Sequence, residues 1–310
     1  MSLKVSVIVL SLNGEKVIRA CLDSLIQTDY PNMELIVVDN GSSDKTPLIV
    51  QEFSQVRLIS LPRNRGFAGG NNVGMSNATG DILILLNDDT TVHPDWVKAL
   101  VTTMESDPHI GIAGCKLLYP DGKTIQHAGG LINEHGLSNH YGKNEIDNGQ
   151  WDKLMDTAYV TGAAIAIRRE VTQILGFLDE GFWPIYFEET DYCFRARKAG
   201  YRVVYVPGSV VIHHESQNTG MGSSGFFYKY HKNRMRFMMR NFTFDQLIHA
   251  IEPEYRWMKR IPRNNIEFVP LIKAYLFNLI KFPLLLLNRW NISLQDNSRK
   301  HEYLKNKGHQ

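Results

Sequence analysis

The sequence predicts an α/β fold: a mostly parallel sheet flanked by helices, followed by a helical C-terminal tail. Three observations predict it. Short apolar runs alternate with segments of helical periodicity. The runs are nearly unbroken, as strands buried on both faces require. After about Gly220 the alternation gives way to an aromatic and basic composition, "FFYKYHKNRMRFMMRNF".

The elements follow in order. "VSVIVLS" (Val5 to Ser11) reads as a first buried strand, too short to span a membrane. Ile18, Leu22, Leu25 and Ile26 then recur at helical spacing. "MELIVVD" (Met33 to Asp39) is a second strand, and "GSSDKT" after it holds turn and helix-start residues. "VRLISLP" is a third strand, "GDILILLND" a fourth, "HPDWVKALVTTMES" a helix and "IGIAGCKLLY" a fifth strand. From Pro120 to Asp156 the pattern weakens and Gly, Asn and His are frequent, as in a loop-rich insertion or strand excursion. Order returns at "AYVTGAAIAIRREVTQILG". "EETDYCFRARKAG" then reads as a helix and "YRVVYVP" as a strand.

Bulk properties narrow the function classes. The 310 residues suffice for one large domain or a domain with an appendage. A net charge of +2 gives no electrostatic case for nucleic-acid binding, so no nucleic-acid partner is expected. Cys21, Cys115 and Cys193 are odd in number and far apart, which fits a reducing compartment and a cytoplasmic location.

In an open α/β sheet, ligands bind beyond the carboxyl ends of the strands. Here the first strand ends in "SLNG", with Ser11 and Asn13, and the second in "VDNGSSD", with Asp39. Asp39 can accept hydrogen bonds from a base or ribose, or it can cap the next helix. "NRGFAGGNNVG" (Asn64 to Gly74) has glycines that permit close approach to a phosphate at a helix start, with Asn64, Gly66 and Asn71 as candidates. A plain Gly-rich turn reads the same way. The fourth strand ends in Asn87, Asp88 and Asp89. Adjacent like charges repel, and burial makes the repulsion worse. A magnesium or manganese ion held by a carboxylate and substrate phosphates would resolve it, and a capped strand-to-helix turn is the alternative. Glu188, Glu189 and Asp191 crowd one helix start. They serve either the helix dipole or, with raised proton affinity, a general base. His213 follows a strand in "VVIHHES" and is a candidate metal ligand.

These stretches, with "VTGAAIAIRRE" and "VVIHHESQNTG", occur in an order that resembles the family 2 inverting glycosyltransferases of GT-A fold, most closely their rhamnosyltransferase-like branch. The resemblance covers roughly Lys4 to Asn241. It implies a catalytic domain over residues 1–241, with a nucleotide-sugar half to about 119, an acceptor half from about 120, and an extension over 242–310. It implies that Asp39 contacts a uracil or thymine base or its ribose. Asn87 takes the variable first place of a DxD-like motif, Asp88 lies near the ribose or sugar, and Asp89 and His213 hold the metal. Glu189 falls where the family more often has an Asp as catalytic base. The extra methylene moves the carboxylate by about one bond length, and misplacement on the order of 1 Å matters. Asp191 is therefore a rival base. Thr161, Gly162 and Glu188 are candidates for the acceptor side, with core packing the other reading of "TGAA".

The implied donor is a nucleotide-diphosphate sugar, deoxythymidine-diphosphate rhamnose first and a uridine-diphosphate sugar second. The implied acceptor is a glycan or a lipid-linked acceptor of cell-surface polysaccharide synthesis. A nucleotidyltransferase would want a Gly-rich basic loop near the start, which "SLNGEKVIRA" matches poorly. A nucleotide-sugar-binding module without catalysis is the other rival. In the tail, Lys273, Asn278 and Lys281 break the apolar run and Pro283 is expected to interrupt a helix. The tail therefore reads as lying on an anionic membrane surface on the cytoplasmic side, or as a helical subdomain or homodimer contact.

Overall fold

The computed structural model describes residues 2–214 and 222–307. Residues 215–220 of "VVIHHESQNTG" lie outside the described residues, as do the tail side chains at 286, 288–298 and 300–307.

The chain opens with β1 (Val5–Ser11), α1 (Ile18–Ile26), β2 (Met33–Asp39), α2 (Thr46–Gln51), β3 (Val56–Ser60) and α3 (Gly66–Asn77). Then come β4 (Ile82–Asn87), β5 (Thr90–Val92), α4 (Trp96–Ser106) and β6 (Ile110–Leu118). Four short strands, β7 (Ile125–His127), β8 (Gly130–Ile132), β9 (Ser138–His140) and β10 (Met155–Asp156), make up the insertion. The chain continues with β11 (Ala164–Arg168), α5 (Arg169–Leu175), α6 (Glu188–Lys198) and β12 (Arg202–His213). It ends with α7 (Ser224–Asn241), α8 (Phe244–Arg260) and α9 (Phe268–Lys307).

The main sheet runs β10-β12-β6-β11-β4-β1-β2-β3, with β5 on β12 and β7 on β6. Pairings β1–β2, β1–β4, β2–β3 and β6–β12 are parallel, and β11 is antiparallel to β4 and β6. Strand residues alternate between two cores, one on each face. Val5, Val7, Val9, Ile82, Ile84 and Leu86 pack with Leu22 of α1 and Leu100 of α4. Ile8, Ile36, Val38, Leu83 and Leu85 pack with Met75 of α3, Val171 of α5 and Tyr192 of α6. This is why the strands read as unbroken apolar runs rather than as alternation: both faces are covered.

One tail expectation is corrected. Pro283 does not interrupt the helix; α9 continues through it to Lys307. Its ring costs one backbone bond, and neighbouring turns carry the helix past it. The extension also packs on the catalytic domain. Phe182 and Phe187 share a core with Phe237 and Met238 of α7 and Ala250 of α8. Leu271, Ala274 and Asn278 of α9 are buried on one face, and Asn278 Nδ2 donates to Lys232 O on α7 at 3.0 Å.

Candidate active site

The register places the suspected strand ends side by side. Ser11 is opposite Asp39, and Leu10 is opposite Asn87. Beyond these ends, Ser11 Oγ donates to Asp88 Oδ2 at 2.5 Å. Gly14 makes this possible, since a Cβ there would lie 2.3 Å from Asp88 Oδ2. Burial pushes the Asp88 carboxyl up to about 7; the Ser11 hydroxyl opposes this and the charge of Asp89 adds to it. Asn13 has a left-handed backbone, φ 54°, and its Oδ1 accepts from Ser43 N at 2.9 Å, tying the β1 and β2 loops together. Asp39 Oδ1 accepts from Ser42 N at 2.9 Å, so this carboxylate closes its own turn.

Pairing of β5 with β12 sets Thr90 opposite His213 and brings Asp89 with it. His214 N donates to Asp89 O at 2.8 Å, and His213 Nε2 lies 3.2 Å from Asp89 Oδ1. Gln126 Oε1 sits 2.7 Å from His213 Nδ1. An amide oxygen only accepts, so Nδ1 carries the proton in this contact, and Nε2, turned toward a carboxylate, can offer its lone pair. Two such acceptors facing one another suit a cation. A divalent ion commonly takes one or two protein ligands and completes its shell with substrate phosphates and water. Asp89 and His213 fit that pattern; no cage of three or more His, Cys, Asp or Glu exists among the described residues.

A cavity of about 520 Å³ opens from this pair. It is lined by Asn87, Asp89 and His213 on one side and by Thr161, Gly162, Glu188 and Glu189 on another. A Cβ on Gly162 would meet Phe67 at 2.9 Å and Glu189 Cγ at 3.6 Å, so "TGAA" both packs and walls the site. Glu188 is buried, and neither carboxyl oxygen has a side-chain hydrogen-bond partner among the described residues. Burial and the neighbouring Glu189 charge hold its carboxyl well above the usual range. Burial also raises Glu189, whose Oε1 accepts from Thr190 Oγ1 at 3.1 Å. Tyr186 and Phe187, immediately before α6, have φ of 89° and 75°, a region that bulky side chains rarely occupy. Asn233 of α7 clamps this segment, its Nδ2 donating to Phe182 O, to Ile185 O at 2.9 Å and to Tyr186 O at 3.1 Å.

Three readings are corrected here. Asp191 is not placed as a base. Its carboxylate is wholly buried, bonded to Arg195 Nε at 2.9 Å, Arg240 Nε at 2.8 Å and Asn241 Nδ2 at 2.8 Å, and it does not line the cavity. The "NRGFAGGNNVG" stretch is not a plain turn: it is helical from Gly66, and two of its glycines serve packing. Cβ atoms on Gly70 and Gly74 would lie 2.3 Å from Leu10 Cδ1 and Ile8 Cγ2, so α3 rests directly on β1. Two of its polar residues bond to nearby backbone. Asn64 Oδ1 accepts from Gly66 N at 2.7 Å, and Asn71 Nδ2 donates to Phe67 O at 3.0 Å. Finally, His213 ends a single long strand, β12, rather than following a shorter one.

The sequence reading missed the cavity wall supplied by the insertion and by α7 and α8: Gln126, His127, His140, Tyr159, Tyr230 and Trp257. His127 and His140 meet at 2.8 Å through their Nδ1 atoms. The frequency of His between 120 and 156 was the only local sign.

The family model for glycosyl transferase family 2 matches residues 6–175, and the chain belongs to that family. Its fold is GT-A. It is 34% identical over 224 residues to the O-antigen biosynthesis protein RfbC of Myxococcus xanthus, covering 69% of this chain and 17% of that protein. It is 35% identical over 230 residues to an uncharacterised protein, y4gI, of Sinorhizobium fredii, covering 70% and 25%. The chain thus spans a quarter or less of these two relatives. It is 26% identical over 239 residues to an N-acetylglucosaminyl-diphospho-decaprenol L-rhamnosyltransferase of Mycobacterium tuberculosis, covering 69% and 76%. Among solved structures, GalNAc-T7 with UDP, GalNAc and Mn2+ shares the fold at TM-score 0.65 and 18% identity, over 90% of this chain and 57% of that one. A Pyrobaculum calidifontis mannosyltransferase with GDP-Man and Mn2+ does so at 0.57 and 18%, over 99% and 88%.

Proposed function

We propose that this chain moves a sugar from a nucleotide-diphosphate donor to a hydroxyl of a glycan or lipid-linked acceptor, with inversion at the anomeric carbon, in cell-surface polysaccharide synthesis. The observation that carries this reading is the convergence of Asp89 and His213 on the cavity that also holds Glu189. A relative named as an L-rhamnosyltransferase supports testing deoxythymidine-diphosphate rhamnose first as donor and uridine-diphosphate sugars second.

Ser11, Asn13, Asp39 and Asp88 form the nucleotide side, and Asn87, Thr161, Gly162 and Glu188 the sugar and acceptor side. Asp89 and His213 would hold a manganese or magnesium ion, which when bound neutralises charge on the departing diphosphate. Glu188 is the more deeply buried of the adjacent carboxyls and is held well above the usual range, so Glu189 is the one of the pair that ionises more readily. Glu189 takes the proton of the acceptor hydroxyl as that oxygen attacks the anomeric carbon and the bond to the diphosphate oxygen breaks. Attack from the face opposite the leaving group inverts the centre.

A panel of nucleotide sugars with manganese, read by released nucleoside diphosphate and by the anomeric configuration of the product, tests this reading. Inorganic diphosphate release would mark a nucleotidyltransferase. Binding without turnover would mark a non-catalytic module. Full activity in excess chelator would remove the metal assignment.

We also propose peripheral docking on the inner face of the plasma membrane. Phe244, Ile248, Ile251 and Tyr255 are exposed along one stripe of α8, and Leu276, Leu279, Ile280 and Leu284 are exposed on α9. Residues 242–310 carry eleven Lys and Arg against six Asp and Glu. The stretch Phe268–Leu285 is long and apolar enough to cross a membrane, but its buried face is already used against α7. Co-sedimentation of the full chain with anionic vesicles, compared with Ile248→Asp/Ile251→Asp, tests docking. No binding at low salt ends it, and a dimer in light scattering that the substitutions dissolve assigns the stripe to a second copy.

A further inference from the structure

The insertion places one buried amide directly behind the proposed metal ligand. Gln126 lies on β7, where Leu117 of β6 is opposite His127 and Leu118 is opposite Ile125. Gln126 is thus the extra residue of a β-bulge, a device that re-aims a side chain. Its side chain is buried, at 7% exposure. Oε1 is 2.7 Å from His213 Nδ1, while Nε2 is buried with no partner among the described residues. Leaving a buried amide nitrogen unpaired is unfavourable, and the contact with His213 offsets that cost. On the far side of the imidazole, Nε2 faces Asp89 Oδ1 at 3.2 Å and Asn87 Nδ2 at 3.4 Å.

We infer that Gln126 is a positioning residue, which fixes His213 in the Nδ1–H tautomer and aims its Nε2 lone pair at the divalent cation. The inference rests on the metal reading above. An acceptor behind a ligating imidazole holds the ring orientation and raises ligand basicity, and its loss typically weakens metal affinity about 10–100-fold. A Leu at 126 keeps the bulk and removes the acceptor. A Glu at 126 keeps an acceptor for Nδ1–H.

The test uses the full chain and Mn2+ alone as probe, with titration followed by electron paramagnetic resonance. Gln126→Leu is expected to raise the Mn2+ Kd about 10–100-fold, and Gln126→Glu to restore it to within a few-fold of the parent. In a His213→Ala background, Gln126→Leu should have no further effect, which separates positioning from general loosening. Ring ¹⁵N spectra supply a metal-free readout: His213 should be Nδ1–H in the parent and shift toward Nε2–H in Gln126→Leu. An unchanged Kd and tautomer in Gln126→Leu, alongside weakened binding in His213→Ala, overturns the inference alone. If Mn2+ affinity is the same in the parent, Asp89→Ala and His213→Ala, the metal reading falls and this inference with it.

Discussion

Asp191→Asn and Glu189→Gln should fail in opposite ways. The Asp191 carboxylate is fully buried and meets Arg195, Arg240 and Asn241 within 3 Å. Removing one partner of a buried charge network costs about 3–5 kcal/mol. Asn keeps the volume and one acceptor, which sets the cost near the lower end, about 3 kcal/mol. For a chain of this size each kcal/mol lowers Tm by about 1.5–2 °C, so Asp191→Asn should melt roughly 4–6 °C below the parent. A loss of that size leaves most molecules folded at 25 °C, so kcat there should stay near the parental value. Glu189→Gln replaces a buried carboxyl whose ionisation burial opposes, so its Tm should hold or rise. Its kcat should fall about 100- to 10,000-fold, the usual worth of a positioned base, with little change in donor affinity. Thermal unfolding and initial transfer rates on both variants decide the matter. An Asp191→Asn protein that melts like the parent yet is inactive, beside an active Glu189→Gln, refutes the assignment.

Asp88 makes stability depend on pH. Its folded carboxyl, pushed up to about 7, holds a proton that the unfolded chain releases near pH 4. Its contribution to stability therefore falls as pH rises from about 4 to about 7, and Asp88→Asn should flatten that decline in denaturant titrations. Gly74→Ala sets a helix-propensity gain of about 1 kcal/mol against overpacking on Ile8 and Val38 costing about 1–3 kcal/mol. A lower urea midpoint is expected, and a higher one would show that α3 does not rest on β1 as described. Asn233→Leu releases three carbonyls of the segment before α6, so kcat should drop at least tenfold while donor KM stays put. A change in donor KM alone would place Asn233 on the nucleotide side instead.

What was legible in the sequence was whatever a local pattern records. A central strand buried on both faces must be apolar throughout, so "VSVIVLS" and "ILILL" declared themselves, and acids at their ends stood out against that background. "NRGFAGGNNVG" was legible as special but not as to why. A missing Cβ permits a phosphate to approach, and equally permits a helix to sit on Leu10 and Ile8. Asp191 was misread for a related reason. Its helical neighbour Arg195 is visible four residues on, but Arg240 and Asn241, which make it structural, arrive about fifty residues later. Gln126 left no local trace, because its role depends on a bulge and on a histidine 87 residues away.

The same reasoning bears on the tail. Helix α7 carries Asn233, which clamps the segment before Glu188, and Arg240, which holds Asp191 in α6. It also lends Tyr230 to the cavity. Its other face meets α9 through Lys232 and Asn278, and Arg234 pairs with Glu254 of α8. The base-bearing helix and the helices with exposed apolar stripes are therefore braced by one element, with no linker between them. Cutting the chain after Asn241 would strip the cover from Phe237 and Met238 and unsettle the Glu189 side of the cavity. Loss of transfer in such a truncation would say nothing about a membrane, whereas charges placed on the α8 stripe leave this bracing intact. Only the surface substitutions isolate docking from catalysis.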